Sequence, residues 1–200
     1  MNFAGKGTSV ANRKSTAPHQ MQITDLDIDF ENTTFSNYSF YAAFACSPYL
    51  SSITQPFKPK ITKVTNNPIY TFGFAFQACN GLSGEISVDF TEACDYNGAA
   101  VTNLANSMFI SCANISGVTL TFPDTLVGNS LDSVYTPSMF KGCTNLQHVT
   151  INGLSTNSKY NGSAASMFVD NPNLTSITYT NVRKAYQDYG TPTIIYASTG

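Results

Sequence analysis

Three cysteines, Cys79, Cys112 and Cys143, lie 33 and 31 residues apart. Thiols at equivalent places in a repeat can stack close enough to hold a soft metal or to form a redox centre. A structural zinc site draws its ligands from Cys-x-x-Cys pairs or from histidines at ligand spacing. The chain has neither. Asn171 stands at the same place in the next copy of the repeat, a swap that a core or turn position tolerates and a ligand position does not. These thiols are therefore expected to be reduced, buried and metal-free, packing as small apolar groups. Cys46 and Cys94 fall outside the column, and the odd total of five leaves at least one thiol unpaired or paired between chains.

The remaining titratable candidates are sparse. Asp25, Asp27, Asp29 and Glu31 alternate with Leu26, Ile28 and Phe30, which places four carboxylates on one face of a strand. Calcium needs a turn that wraps oxygen ligands around the ion, and no Asp-x-Asp-x-Asp-Gly loop is present. A solvated acidic edge that discourages strand-to-strand aggregation is the expected role. His148 falls on the outward phase of a strand, where its neighbours in other copies are Glu85, Gly117 and Ser176. Only Glu85 among these titrates, two strands away. His19 lies in a polar leader. The chain has no Gly-x-Ser-x-Gly, phosphate loop, His-Glu-x-x-His or dinucleotide fingerprint. Catalytic, cofactor-binding and metal-binding residues are therefore none in this reading, and enzymatic activity is not expected.

What positions these residues is a sentence written repeatedly along the chain. It reads SMFISCANISGVTL around Phe109, SMFKGCTNLQHVTI around Phe140 and SMFVDNPNLTSITY around Phe168. An earlier copy at Phe76 fits after one inserted residue, and a fainter one at Phe44 keeps Leu50 and Ile53. The anchors Phe44, Phe76, Phe109, Phe140 and Phe168 are 32, 33, 31 and 28 residues apart. A period in this range signals a stacked-repeat architecture. Each copy supplies an apolar-x-apolar pair, predicting strands at Ile86–Val88, Val118–Leu120, Val149–Ile151 and Ile177–Tyr179. The Ser-x-Phe segment before each Cys predicts a helical turn, capped by Ser107, Ser138 or Ser166 or the residues just before them. Gly81, Asn114, Asn145 and Asn173 share the fifth place after the Phe, where positive φ is expected because Gly and Asn tolerate it. Tyr49 breaks that column.

The pattern Met-Phe-x-x-Cys-x-x-Leu-x-x-Ile-x-Leu resembles the leucine-rich repeats of the BspA-like type, found on bacterial and protozoan surface proteins. VTLTFPDTLVGN after Gly117 resembles that family's strand and Pro-containing turn, and residues 185–198 resemble the way such arrays close. The match covers roughly residues 40 to 198, with linkers longer and less regular than about two dozen residues per repeat. The resemblance implies a leucine-rich-repeat-type solenoid, with short parallel strands stacked into one sheet and helical turns and irregular loops on the convex side. It also implies surface recognition or adhesion.

Composition sets the bounds. The 200 residues suit one domain long enough to bury a continuous core. Residues 1–20 read as a flexible arm carrying Lys6, Arg13 and Lys14. Residues 21–200 read as a single solenoid of about five repeats, with a capping strand near 23–30 and a C-terminal cap at 181–200. Only 11% of residues are charged and the net charge is −2, so no field draws nucleic acid to the chain. At 42% hydrophobic residues, with 14 Phe and 11 Tyr, the chain packs rather than trails. No segment approaches the ~20 apolar residues of a membrane span, and the N-terminal stretch lacks the apolar core of a secretory signal.

With no catalytic constellation, function is expected on the outward side of the sheet. That face would be built from Glu85, Ser87, Asp89, Thr119, Thr121, His148, Thr150, Asn152, Thr178 and Thr180. Its expected partner is a protein or glycan at a cell surface, in a cell-surface or extracellular setting. The alternative is a structural part of a phage virion, a head or tail fibre or decoration protein, anchored to a capsid, tail or further copy through residues 1–20. The missing secretory signal and the basic arm favour that alternative.

Overall fold

Every copy of the repeat alternates inward and outward side chains over one short stretch, and in the computed structural model those stretches pair as parallel strands. The structure describes residues 23–28, 30, 34–60, 63–64, 70–93, 105–122, 138–153 and 167–180. Its largest sheet has four strands in sequence order: β5 (Gly84–Asp89), β6 (Ile115–Thr121), β7 (His148–Asn152) and β8 (Ser176–Thr180). The register is the one the repeat alignment requires. Ile86 pairs with Val118, Val118 with Val149 and Val149 with Ile177. Ile86, Val118 and Val149 are buried, whereas Ile177 and Tyr179 on the last of these strands are only half-buried. Two smaller parallel pairs precede this sheet: β1 (Asp25–Leu26) with β3 (Ser52–Ile53), and β2 (Thr34–Phe35) with β4 (Lys63–Val64). The chain is a β-solenoid. The expected N-terminal arm, the C-terminal closing segment and Cys94 lie outside the described residues, as do the linkers at 94–104, 123–137 and 154–166.

The segments before each Cys are not helical, contrary to the sequence expectation; among the described residues there is no helix. Residues 37–46, 70–78, 105–111 and 138–142 instead run as consecutive turns, and a residue with positive φ recurs every fourth place. Tyr38, Ala42 and Cys46 show it in one coil, Tyr70, Phe74 and Ala78 in the next, then Ser107 and Ser111, then Ser138 and Gly142. A right-handed helix cannot contain such residues, because the left-handed conformation turns the backbone out of the helical path. The hydrogen bonds follow from this. Alternate N–H groups donate three residues back, as Ala75 does to the Phe72 carbonyl at 3.1 Å, while the intervening ones reach across to the next coil. Phe44 donates to Ala75 at 2.9 Å, Phe76 to Met108 at 2.9 Å, Phe109 to Met139 at 2.9 Å and Phe140 to Met167 at 3.0 Å. A helix would spend all these donors on itself.

The positive-φ positions are therefore two residues before and after the anchor Phe, not the expected fifth place. Asn114 and Asn145 have no positive φ, and neither does Gly81. The asparagines serve a different purpose: Asn114 Nδ2 donates to the Asn80 carbonyl at 2.7 Å, and Asn173 Nδ2 to that of Thr144 at 2.8 Å. Asn145 Nδ2 reaches Asn114 Oδ1 at 3.3 Å, so this column ties coil to coil with carboxamides. Gly81 is small for steric reasons, since a Cβ there would collide with the carbonyl oxygens of Pro48 and Leu50.

Between the turns and the strands lies one continuous apolar cluster. Its spine is the anchor column. Phe44 stacks on Phe76 with centroids 5.5 Å apart, Phe76 on Phe109 at 5.1 Å, Phe109 on Phe140 at 5.2 Å and Phe140 on Phe168 at 6.0 Å. Each near-parallel pair adds roughly 0.5–1.5 kcal/mol beyond its burial. A second short stack joins Phe90 to Phe122 at 5.6 Å, just past the ends of β5 and β6.

Candidate recognition face

The cysteine column sits inside the spine. Cys79, Cys112 and Cys143 are buried and free, and each thiol points back at the anchor of the previous coil. Cys79 Sγ donates to the Phe44 carbonyl at 3.0 Å, Cys112 Sγ to Phe76 at 3.0 Å and Cys143 Sγ to Phe109 at 3.2 Å. In the last copy Asn171 Nδ2 makes the same bond to Phe140 at 3.0 Å. The column selects a small buried donor, a role that Cys and Asn share. Asn171 leaves its Oδ1 buried without a partner, which a thiol does not do. Burial pushes the Cys79 thiol up to about 11 and that of Cys143 to about 12, and lifts Cys112 well above its ordinary value. Such thiols are protonated at neutral pH and poor nucleophiles. Cys46, outside the column, is half-buried and has positive φ.

The acidic edge is bound to the neighbouring strand rather than free. Asp25 accepts hydrogen bonds from Ser52 Oγ and, at 2.9 Å, from Thr24 Oγ1, and Asp27 accepts one from Thr54 Oγ1 at 2.8 Å. The Ser52 hydroxyl, then that of Thr24, holds the Asp25 carboxyl below its usual range. Asp29 and Glu31 lie outside the described residues. Among the described residues, no group of three or more His, Cys, Asp or Glu side chains is placed to hold a metal, and no helix is long and apolar enough to cross a membrane.

The outward side of β5–β8 brings all ten predicted face residues together in three rows across the strands. The first row is Glu85, Gly117, His148 and Ser176; the second is Ser87, Thr119, Thr150 and Thr178; the third is Asp89, Thr121, Asn152 and Thr180. Glu85, His148, Thr178 and Thr180 are exposed, and the other six predicted residues are half-buried. Asn152 Nδ2 makes a long 3.5 Å contact with Thr121 Oγ1 in the third row.

The first row contains a contact that strand counting missed. Glu85 and His148 are two strands apart, yet His148 Nε2 lies 2.8 Å from Glu85 Oε1. Gly117 between them is the reason, since a Cβ there would occupy the space taken by both side-chain tips. The signal was present in the sequence as a glycine between two long polar residues in register. At the other end of β5, Lys58 lies 3.5 Å from Asp89 and 2.9 Å from Glu92, and these carboxylates, Glu92 first, raise its pKa. Sequence reasoning had no route to Lys58, because it follows the irregular stretch after β3. Comparison of the chain with protein-family models, with curated proteins and with solved structures finds no match.

Proposed function

We propose that the protein is a non-enzymatic recognition module that binds a protein or glycan at a cell surface through the outward face of β5–β8. The observation carrying this reading is the strict register of the three rows, which sets ten polar side chains on one rigid, hydrogen-bonded backbone. Solenoids suit such work because outward residues change from coil to coil without touching the core. The charged members of the face are already paired, Glu85 with His148 and Asp89 with Lys58. We assign the solenoid to the BspA-like leucine-rich-repeat type on the Met-Phe-x-x-Cys-x-x-Leu pattern, and that resemblance also supports an adhesive role.

The test is binding of labelled protein to candidate cells, with Thr119→Ala/Thr150→Ala compared with the parent chain. The variant is expected to lose most of its binding while keeping its thermal midpoint. Unchanged binding by a folded variant overturns the assignment of the face.

A further inference from the structure

Resting on that reading, we propose that the ligand of the face is a linear, neutral polysaccharide lying along the solenoid axis, across the strands. The second row supplies the geometry. Ser87, Thr119, Thr150 and Thr178 are direct register partners, so their hydroxyls repeat at the strand spacing of about 4.8 Å. A chain of sugar rings laid over them in extended conformation advances by close to one ring per strand, so each ring meets a new hydroxyl. Two residues further along each strand, roughly 6.6–6.8 Å away, the third row adds Thr121, Asn152 and Thr180. The ligand thus meets hydrogen-bonding groups along two parallel lines.

The chemistry of the rows selects the class. Among the described residues, no hydrogen bond engages the hydroxyls of Thr119, Thr150 and Thr178. Hydroxyls donate and accept alike, which matches a partner that is itself made of hydroxyls. Threonine also presents a methyl group, suited to the apolar C–H edges of a sugar ring. Charge excludes the alternatives. Among the described residues, Lys58 at the rim lies 2.9 Å from Glu92, His148 Nε2 lies 2.8 Å from Glu85 Oε1, and no Lys or Arg stands in the second or third row to meet sulfate, phosphate or uronate groups. Cationic partners meet Glu85 and Asp89 only in competition with their present contacts.

The experiment is co-sedimentation of the full chain with insoluble cellulose, β-1,3-glucan and mannan. Soluble heparin and alginate serve as anionic probes in a mobility assay. We expect retention by at least one neutral polymer, unchanged between low and high salt because no ion pair is made. Thr119→Ala/Thr150→Ala/Thr178→Ala should weaken it at least tenfold with the thermal midpoint preserved, whereas Glu92→Gln should leave it unchanged. Binding only to heparin or alginate, steep loss with salt, or no retention by any neutral polymer overturns the glycan inference. In that case, cell binding that still depends on Thr119 and Thr150 leaves the recognition face standing. Cell binding insensitive to them removes the face and the inference together.

Discussion

The coil anchored on Phe44 and the coils anchored on Phe109 and Phe140 share one turn side and differ on the strand side. On the turn side, Phe44 stacks on Phe76 just as Phe109 stacks on Phe140. Phe40, Ala42, Phe44 and Cys46 all donate to the next coil, at 2.8, 2.9, 2.9 and 2.7 Å. On the strand side, β3 is two residues long against seven in β6. Pro56, which has no N–H to give to a ladder, interrupts the strand. Phe57 then rejoins the main sheet by a single bridge to Val88, and Gln55 Oε1 accepts the Ser87 N–H at 2.7 Å in place of a backbone carbonyl. The lesson is that the turns and the Phe stack carry the repeat, and the sheet is the part that tolerates repair.

Charge placed in the core should separate the two regions most widely. Val149 and Ile53 are both buried inward residues of their strands. Val149→Asp strands a charge between two neighbouring coils, costs several kcal/mol and is expected to abolish the cooperative transition seen by circular dichroism. Ile53→Asp is expected to melt the first coils and leave β5–β8 protected in hydrogen exchange, as nearest-neighbour stacking allows. If both substitutions unfold the whole chain, the regions are not separable.

Truncating the spine comes next. Phe109 is fully buried between two rings, whereas Phe44 is partly exposed and stacks on one anchor ring. Phe109→Ala should cost about 3–5 kcal/mol in urea unfolding, and Phe44→Ala distinctly less. Equal losses would mean that the first coil is as tightly packed as the third.

Much of this architecture is legible in the sequence, and what is not has a physical reason. The spacing of Ile86, Val118, Val149 and Ile177 predicts the register because a slip of one residue would turn every apolar side chain outward. The same alternation places the ten face residues. The turn side misleads because Ser, Met and Phe at short spacing suit one helical turn as well as a turn ribbon, and the donors that decide between them are backbone N–H groups common to all residues. Positive φ at Phe74, Ala78 and Ser111 has no signature in those side chains. The Glu85–His148 contact stayed hidden for another reason, since it depends on an absent side chain at Gly117.

The cysteine column offers a pH-dependent test. The Cys79 and Cys143 thiols rise from 9.0 to about 11 and about 12 on folding, so the folded chain holds protons that the unfolded chain releases. Their stabilising contribution is complete below pH 9 and is lost as pH rises through the folded values. The urea midpoint should therefore fall between pH 8.5 and about 10.5, and a Cys79→Ala/Cys143→Ala variant should show a shallower fall. Native thiol labelling at these sites should be slow and become fast in denaturant.

Smaller effects refine the turn side. Ser111, at φ 61° and exposed, should accept glycine with a gain of up to about 1 kcal/mol, while Ser111→Val should cost roughly 1–2 kcal/mol. The reverse order in thermal unfolding would refute the turn ribbon. Gly117→Ala should part Glu85 from His148 and change stability by under about 1 kcal/mol, since the pair is exposed.

Because the N–H groups that leave each turn all point toward the following coil, the solenoid is laced along two lines, the sheet on one flank and the turn ribbon on the other. Pulled along its axis, it would carry load on both lines at once, and a coil could peel away only after both had parted. A solenoid of this build meets such a load through backbone geometry alone, since Cys79, Cys112 and Cys143 are free thiols.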